Sequence, residues 1–359
     1  MSKRFTVSPR SPISIASRTP AVTLKSIAAD LGVHVSTVSR VLNGDPDQVK
    51  RAASSDLAAR IRALAGERAY RPNVQATSLQ AGHSREFAVL MPRLSDLVMA
   101  MIYEGIDEAA NAAGYVAFVS NTSDNVDKQR ERAEQALLRR VAGVIVGDTH
   151  IDDPQPLAVL LAQRQVPYVL VSRRLENHPS VTCDDIEGGR LAAEHFYERG
   201  HREVAILAGE VNAITGVDRR ESFVSFYRDK GIEIAPHRIL TGHFDTETGR
   251  GLGERLLAQR PYPTAIFAVN DFLAIGLMGA IRDKGLQVGR DIAVMGYNDT
   301  PLAAQLPVAL TSVRLPMQQM GQLAVEMLLD ILAGKPVTPI LLTPTLWVRA
   351  SSERAFQCR

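Results

Sequence analysis

The feature that most constrains this chain is a pair of short helical patterns around one glycine, between Val22 and Gly44. Leu24, Ile27, Ala28 and Leu31 recur at helical spacing and make one apolar face, with Thr23 as N-cap and a break at Gly32. A second apolar face follows through Val33, Val38, Val41 and Leu42. Two short helices joined by a tight glycine-containing turn predict a helix-turn-helix, whose second helix enters the DNA major groove. That helix carries Ser36, Thr37 and Ser39, which are small donors, and the long cation Arg40.

Charge supports this assignment. Residues 1–84 hold 12 Lys and Arg against 5 Asp and Glu, whereas the remainder holds 29 against 34. A basic N-terminal part on an acidic body points to a polyanionic partner for that part alone. No apolar run is long enough for a transmembrane helix, and no apolar run follows Lys3 and Arg4 to make a signal peptide. Cys183 and Cys358 read as unpaired thiols of a reducing cytoplasm.

At 359 residues the chain has room for two or three domains. Residues 1–21, with Pro9, Pro12 and Pro20 among serines, read as a disordered basic arm. Residues 22–71 form an all-α headpiece with a third helix over 56–68, capped by Ser54 or Ser55 and buried through Leu57, Ile61, Leu64 and Ala65. From Phe87 onward apolar strand candidates lie at 87–91, 116–120, 143–146, 168–171, 204–207, 265–269 and 292–295. Amphipathic helices fall between them, for example at 99–113, 127–140, 188–199 and 218–231. Repeated strand–helix units imply parallel sheets covered on both faces.

Two runs identify a relationship. Thr37-Val38-Ser39-Arg40-Val41-Leu42-Asn43-Gly44 is followed by Tyr70-Arg71-Pro72-Asn73 in the same order as in one bacterial family. The chain resembles the LacI/GalR transcription regulators over nearly everything after residue 21. The resemblance implies a hinge helix and linker over 72–84, with the helix at 73–81. It implies an α/β core over 85–359 of two Rossmann-like subdomains, akin to periplasmic sugar-binding proteins. Their expected extents are 85–183 with 313–341, and 184–312 with 342–359. It further implies a homodimer on operator DNA and a small-molecule effector, a sugar or sugar acid, in the cleft between subdomains. No cofactor, metal or membrane is expected.

By the same resemblance Val35, Ser36 and Arg40 face base edges, Arg40 with the reach for a bidentate guanine contact. Thr23, Thr37, Ser39 and Asn43 complete the set on DNA, with Thr23, Ser39 and Asn43 on phosphate. Asn73, Ala76 and Leu79 of the hinge helix join them, Leu79 as an apolar wedge in the minor groove. His34 departs from the family's usual serine and is expected to cap the second helix less well. Ala69 stands where the family commonly has glycine, and about five extra residues separate Gly44 from Ser54.

In the core the matching effector positions are Ser172, Arg173, Arg219, Asn270 and Asn298. Ser172 and Asn298 stand where the family often has carboxylates, whereas Arg173 and Arg219 keep positive charge. That balance predicts an anionic effector, such as a sugar acid. An enzyme on the same fold is the main alternative, but no dinucleotide fingerprint, phosphate loop, nucleophile elbow or zinc motif is found. His195 and His201, near a helix end, read as surface residues. A transporter's solute-binding protein would need an export signal and no headpiece.

Overall fold

The computed structural model describes residues 22–70 and 84–352, which fall into two separate units. The disordered arm and the hinge helix expected from the sequence lie outside the described residues.

The first unit is helical. It contains α1 (Leu24–Leu31), α2 (Val35–Asn43), α3 (Pro46–Ala52) and α4 (Ser55–Glu67). Thr23 caps α1 by accepting from Ser26 N, and the Ser26 hydroxyl reciprocates on Thr23 N, a capping box. Gly32 ends α1 at φ 65, a left-handed position that a side chain enters only with strain. Ile27, Val38 and Ile61, one from each of α1, α2 and α4, are fully buried together. Burying each such side chain contributes about 1.5–3 kcal/mol. The residues between Gly44 and Ser54 are not a loop. Asp45 caps α3 by accepting from Asp47 N and Gln48 N, and Pro46 opens it without a wasted donor.

The second unit holds two six-stranded sheets. The first contains β1 (Glu86–Met91), β2 (Val116–Asn121), β3 (Gly143–Val146), β4 (Tyr168–Val171), β5 (Ser180–Cys183) and β11 (Ile340–Leu342), in the order β11-β5-β4-β3-β1-β2. All its pairings are parallel. The second contains β6 (Val204–Ala208), β7 (Ile239–Thr241), β8 (Ala265–Ala268), β9 (Ala293–Asn298), β10 (Thr311–Arg314) and β12 (Thr345–Trp347), ordered β12-β10-β9-β8-β6-β7. It is parallel except for β12, which runs antiparallel to β10. The chain therefore crosses between the halves three times, after β5, after β10 and after β11.

Along β1, Phe87, Val89 and Met91 enter one core cluster while Ala88 and Leu90 enter another. That alternation buries both faces, so these strands are near-continuously apolar. The crossover helices supply the cover: α5 (Leu97–Ala112), α6 (Val126–Leu138) and α7 (Leu157–Gln163), then α8 (Asp185–Glu198), α9 (Ile214–Asp229), α10 (Thr246–Leu256) and α11 (Asp271–Asp283), and finally α12 (Met317–Leu332). Helix α12 follows β10 yet packs on α5 in the first half, consistent with the second crossing. Among the described residues no helix is long and apolar enough to cross a membrane.

Two assignments are corrected here. His195 and His201 are 3% exposed and not on the surface. His195 Nε2 lies 2.8 Å from Ser352 Oγ, and His201 Nδ1 lies 3.0 Å from Thr264 Oγ1. Burial, aided by nearby arginines, pulls both imidazoles down to about 4.

Candidate DNA surface and ligand cleft

Helix α2 divides its residues cleanly. Val38 and Val41 point into the headpiece core, Val35, Ser36, Thr37 and Ser39 are half-buried, and Arg40 and Asn43 are exposed. No ion pair engages Arg40 among the described residues, so its guanidinium remains available to an external acceptor. His34 is the N-cap of α2: its Nδ1 accepts from Ser36 N at 3.2 Å and lies 2.7 Å from Ser36 Oγ. Thr23 spends its hydroxyl on the α1 cap. Asn73, Ala76 and Leu79 lie outside the described residues.

In the second unit a cavity of about 260 Å³ opens beyond the C-terminal ends of strands from both sheets, where doubly wound sheets place ligands. From the first half it takes Arg93, Ser95 and Asp96 after β1, Asp124 after β2 and Arg173 after β4. From the second half it takes Glu210 after β6, Phe244 and Asp245 before α10, and Phe272 in α11. Gly209 makes room for Phe244, because a Cβ there would come within 2.1 Å of the ring.

Of the five effector positions expected from the sequence, only Arg173 lines this cavity. Its guanidinium is committed: Nη1 donates to Asp124 Oδ1 at 2.8 Å and Nη2 to Oδ2 at 3.0 Å. Burial opposes ionisation of Asp124, but hydrogen bonds from His150 and Arg173 prevail and hold its carboxyl well below the usual range. Neighbouring Asp148 is pushed up by complete burial, against hydrogen bonds from Thr122 and Gln129.

Arg219 is likewise committed. Its Nε donates to Asp185 Oδ1 at 2.7 Å, its Nη1 donates to Val269 O at 2.9 Å, and the guanidinium lies 3.8 Å from the Tyr297 ring centre. Tyr297 donates to the same Asp185 oxygen at 2.9 Å. Asn270 caps α11 through Leu273 N at 2.8 Å and donates to Phe244 O at 3.1 Å, so it positions a cavity wall. Asn298 ends β9 at φ 100, with Oδ1 buried and without a hydrogen-bond partner among the described residues. Ser172 is half-buried at φ 67.

Arg173 and Arg219 therefore do not offer the cleft the unpaired positive charge expected from the sequence. Both arginines are neutralised by buried aspartates that lie outside the motifs compared. The cavity wall itself carries Asp96, Asp124, Glu210 and Asp245 against Arg93 and Arg173, an acidic excess. Asp96 spends Oδ1 on Val98 N at 3.0 Å, and Glu210 engages His243 through Oε1. Among the described residues no group of His, Cys, Asp or Glu is arranged to hold a metal.

The comparisons agree with this architecture. Residues 23–73 match the model of bacterial regulatory proteins of the lacI family, and residues 193–352 that of the periplasmic binding protein-like domain. The HTH-type transcriptional repressor PurR of Serratia proteamaculans is 30% identical over 316 residues, spanning 87% of this chain and 91% of that protein. PurR of Yersinia pestis is 30% identical over 320 residues, with 88% and 92% covered. The Lac repressor dimer bound to operator and the anti-inducer ONPF superposes with a TM-score of 0.83 at 27% identity, covering 92% of this chain and 99% of that one. The complex of the transcriptional regulator CelR with cellobiose gives 0.69 at 27% identity, with the same coverage. A helical headpiece matching the lacI model, two largely parallel sheets joined by three crossings and similarity to these repressors over about nine-tenths of the chain lead to one assignment: the chain belongs to the LacI family of DNA-binding transcription regulators.

Proposed function

We propose that the protein is a homodimeric repressor whose operator affinity is set by a neutral polyhydroxylated metabolite bound in the core cleft. In this reading Arg40 reads a guanine edge, Val35 and Ser36 flank it, Thr37 adds a further contact to the DNA, and Ser39 and Asn43 hold the phosphate backbone with Thr23. Asn73, Ala76 and Leu79 act on the minor groove. The dimer of the Lac repressor supports the assembly. So does a recess of about 430 Å³ on α11 and its neighbours, lined by Ile275, Met278, Leu286, Val288 and Leu306. The protein works on DNA in the cytoplasm and catalyses no reaction.

One observation carries the effector class: Arg173 is closed off by Asp124, leaving an acid-rich wall beside Phe244 and Phe272. Carboxylates accept from hydroxyls and repel anions, and aromatic faces cover apolar sugar surfaces. Cellobiose in the CelR complex supports this class. Calorimetric titration with matched pairs tests it: glucose with gluconate, galactose with galacturonate, cellobiose with cellobionate. A neutral member binds at least tenfold tighter than its acid. Tighter binding of an acid overturns the neutral-ligand reading.

A further inference from the structure

The cavity residue Asp124 is joined to the opposite half of the core through one imidazole. His150, on the loop between β3 and α7, is 7% exposed and places Nε2 2.8 Å from Asp124 Oδ1. Its other nitrogen, Nδ1, lies 3.1 Å from Nδ2 of Asn212. Asn212 belongs to the second half, on the loop between β6 and α9. Beside it Ile151 N donates across the same seam to Asn212 O at 3.0 Å. Arg174 and Asp218 pair across the seam at 2.5 Å.

The chemistry fixes the direction of the Asp124 bond. The carboxylate can only accept, so His150 carries a proton on Nε2. That hydrogen bond raises the pKa of the imidazole. In the charged ring Nδ1 donates to the Asn212 amide oxygen, and in the neutral ring it accepts from the amide nitrogen. In either form the imidazole bridges the two halves. Asp124 Oδ1 is also shared with Arg173, so any group that a ligand presents to this pair competes for the oxygen on which His150 depends.

We propose that Asp124, His150 and Asn212 form a clasp that transmits occupancy of the cavity to closure of the two halves, with His150 as its positioning residue. The inference rests on the cavity being the effector site, and the test below needs neither effector nor DNA. The probe is hydrogen exchange of the Ile151 amide in the ligand-free full chain, because that amide is protected only by a bond across the seam. Asp124→Asn accelerates its exchange about tenfold, because a neutral amide holds the imidazole less tightly than a carboxylate. In a His150→Ala background, Asp124→Asn adds nothing further. Unchanged Ile151 exchange in Asp124→Asn, or equal acceleration with and without His150, overturns the clasp. His150→Gln guards against a folding defect: its amide still donates to Asp124 but no longer bridges to Asn212. It exchanges Ile151 about tenfold faster while the core melts cooperatively; wild-type exchange in this variant also overturns the proposal. Failure of the sugar titrations with intact clasp behaviour would instead indict the effector reading.

Discussion

The buried histidines make the core sensitive to acid in a way that can be worked out from the structure. His195 and His201 are both held down to about 4 by burial, from an ordinary value of 6.5. A folded value below the unfolded one means that the unfolded chain binds the proton more readily. Each histidine's contribution is therefore intact above pH 6.5 and is lost as pH falls toward 4, roughly 3 kcal/mol apiece. Asp271 works the other way. Burial, opposed by hydrogen bonds from Ser312 and Thr300, raises it to about 6, so its contribution is present in acid and lost as pH rises from 3.8 through 6. Between pH 4 and 6 each buried histidine steepens the profile by about 1.4 kcal/mol per pH unit, while Asp271 and the other carboxyls that burial raises, Asp96, Asp148 and Asp185, work against that slope. His195→Gln keeps an amide donor near Ser352 but no titrating group, so its profile is shallower than that of the wild type by about 1.4 kcal/mol per unit over that range. Urea unfolding at several pH values, followed through Trp347, the single tryptophan, measures both slopes. Parallel profiles for the wild type and His195→Gln would refute the reasoning.

Arg40→Ala should weaken operator binding by roughly 1–3 kcal/mol per half-site while leaving random DNA nearly unaffected, in fluorescence anisotropy on both duplexes; an equal loss on both would make Arg40 a phosphate contact. Ala69 sits at φ 49, where a side chain costs about 1–2 kcal/mol, so Ala69→Gly should stabilise the headpiece by about 0.5–1 kcal/mol after the glycine's own entropy is subtracted. Thermal unfolding of the headpiece transition checks it, and destabilisation would contradict the assigned strain.

Local patterns carried the elements of the sequence that obey them. The spacing of Leu24, Ile27 and Ala28 gave α1, and the apolar runs gave the central strands, because period and burial coincide there. The edge strands β7, β11 and β12 are three residues long and half-exposed, too short for a pattern. Helix α3 was legible through Asp45-Pro46, a cap followed by proline, but a lineage comparison treats inserted residues as a loop. The cleft was the least legible part. Arg173 and Arg219 were found by motif, yet their partners Asp124 and Asp185 lie 49 and 34 positions away, and no local spacing announces such pairs. His195 and His201 are buried rather than on the surface, and their partners Ser352 and Thr264 lie still further away, 157 and 63 positions along the chain. The acidic wall, assembled from four separate loops, became visible only once the sheets were in place.

The central claim is that ligand in the core cleft and operator at the headpiece are energetically linked. Coupling of this kind is reciprocal: the factor by which a ligand changes operator affinity equals the factor by which operator changes ligand affinity. The direct measurement is the dissociation constant of the neutral sugar selected by calorimetry, determined on the free protein and on the protein saturated with operator duplex. The account predicts two different constants, separated by roughly 5–150-fold, with the same ratio recovered when operator is titrated with and without sugar. Equal sugar affinity for free and operator-bound protein would contradict it.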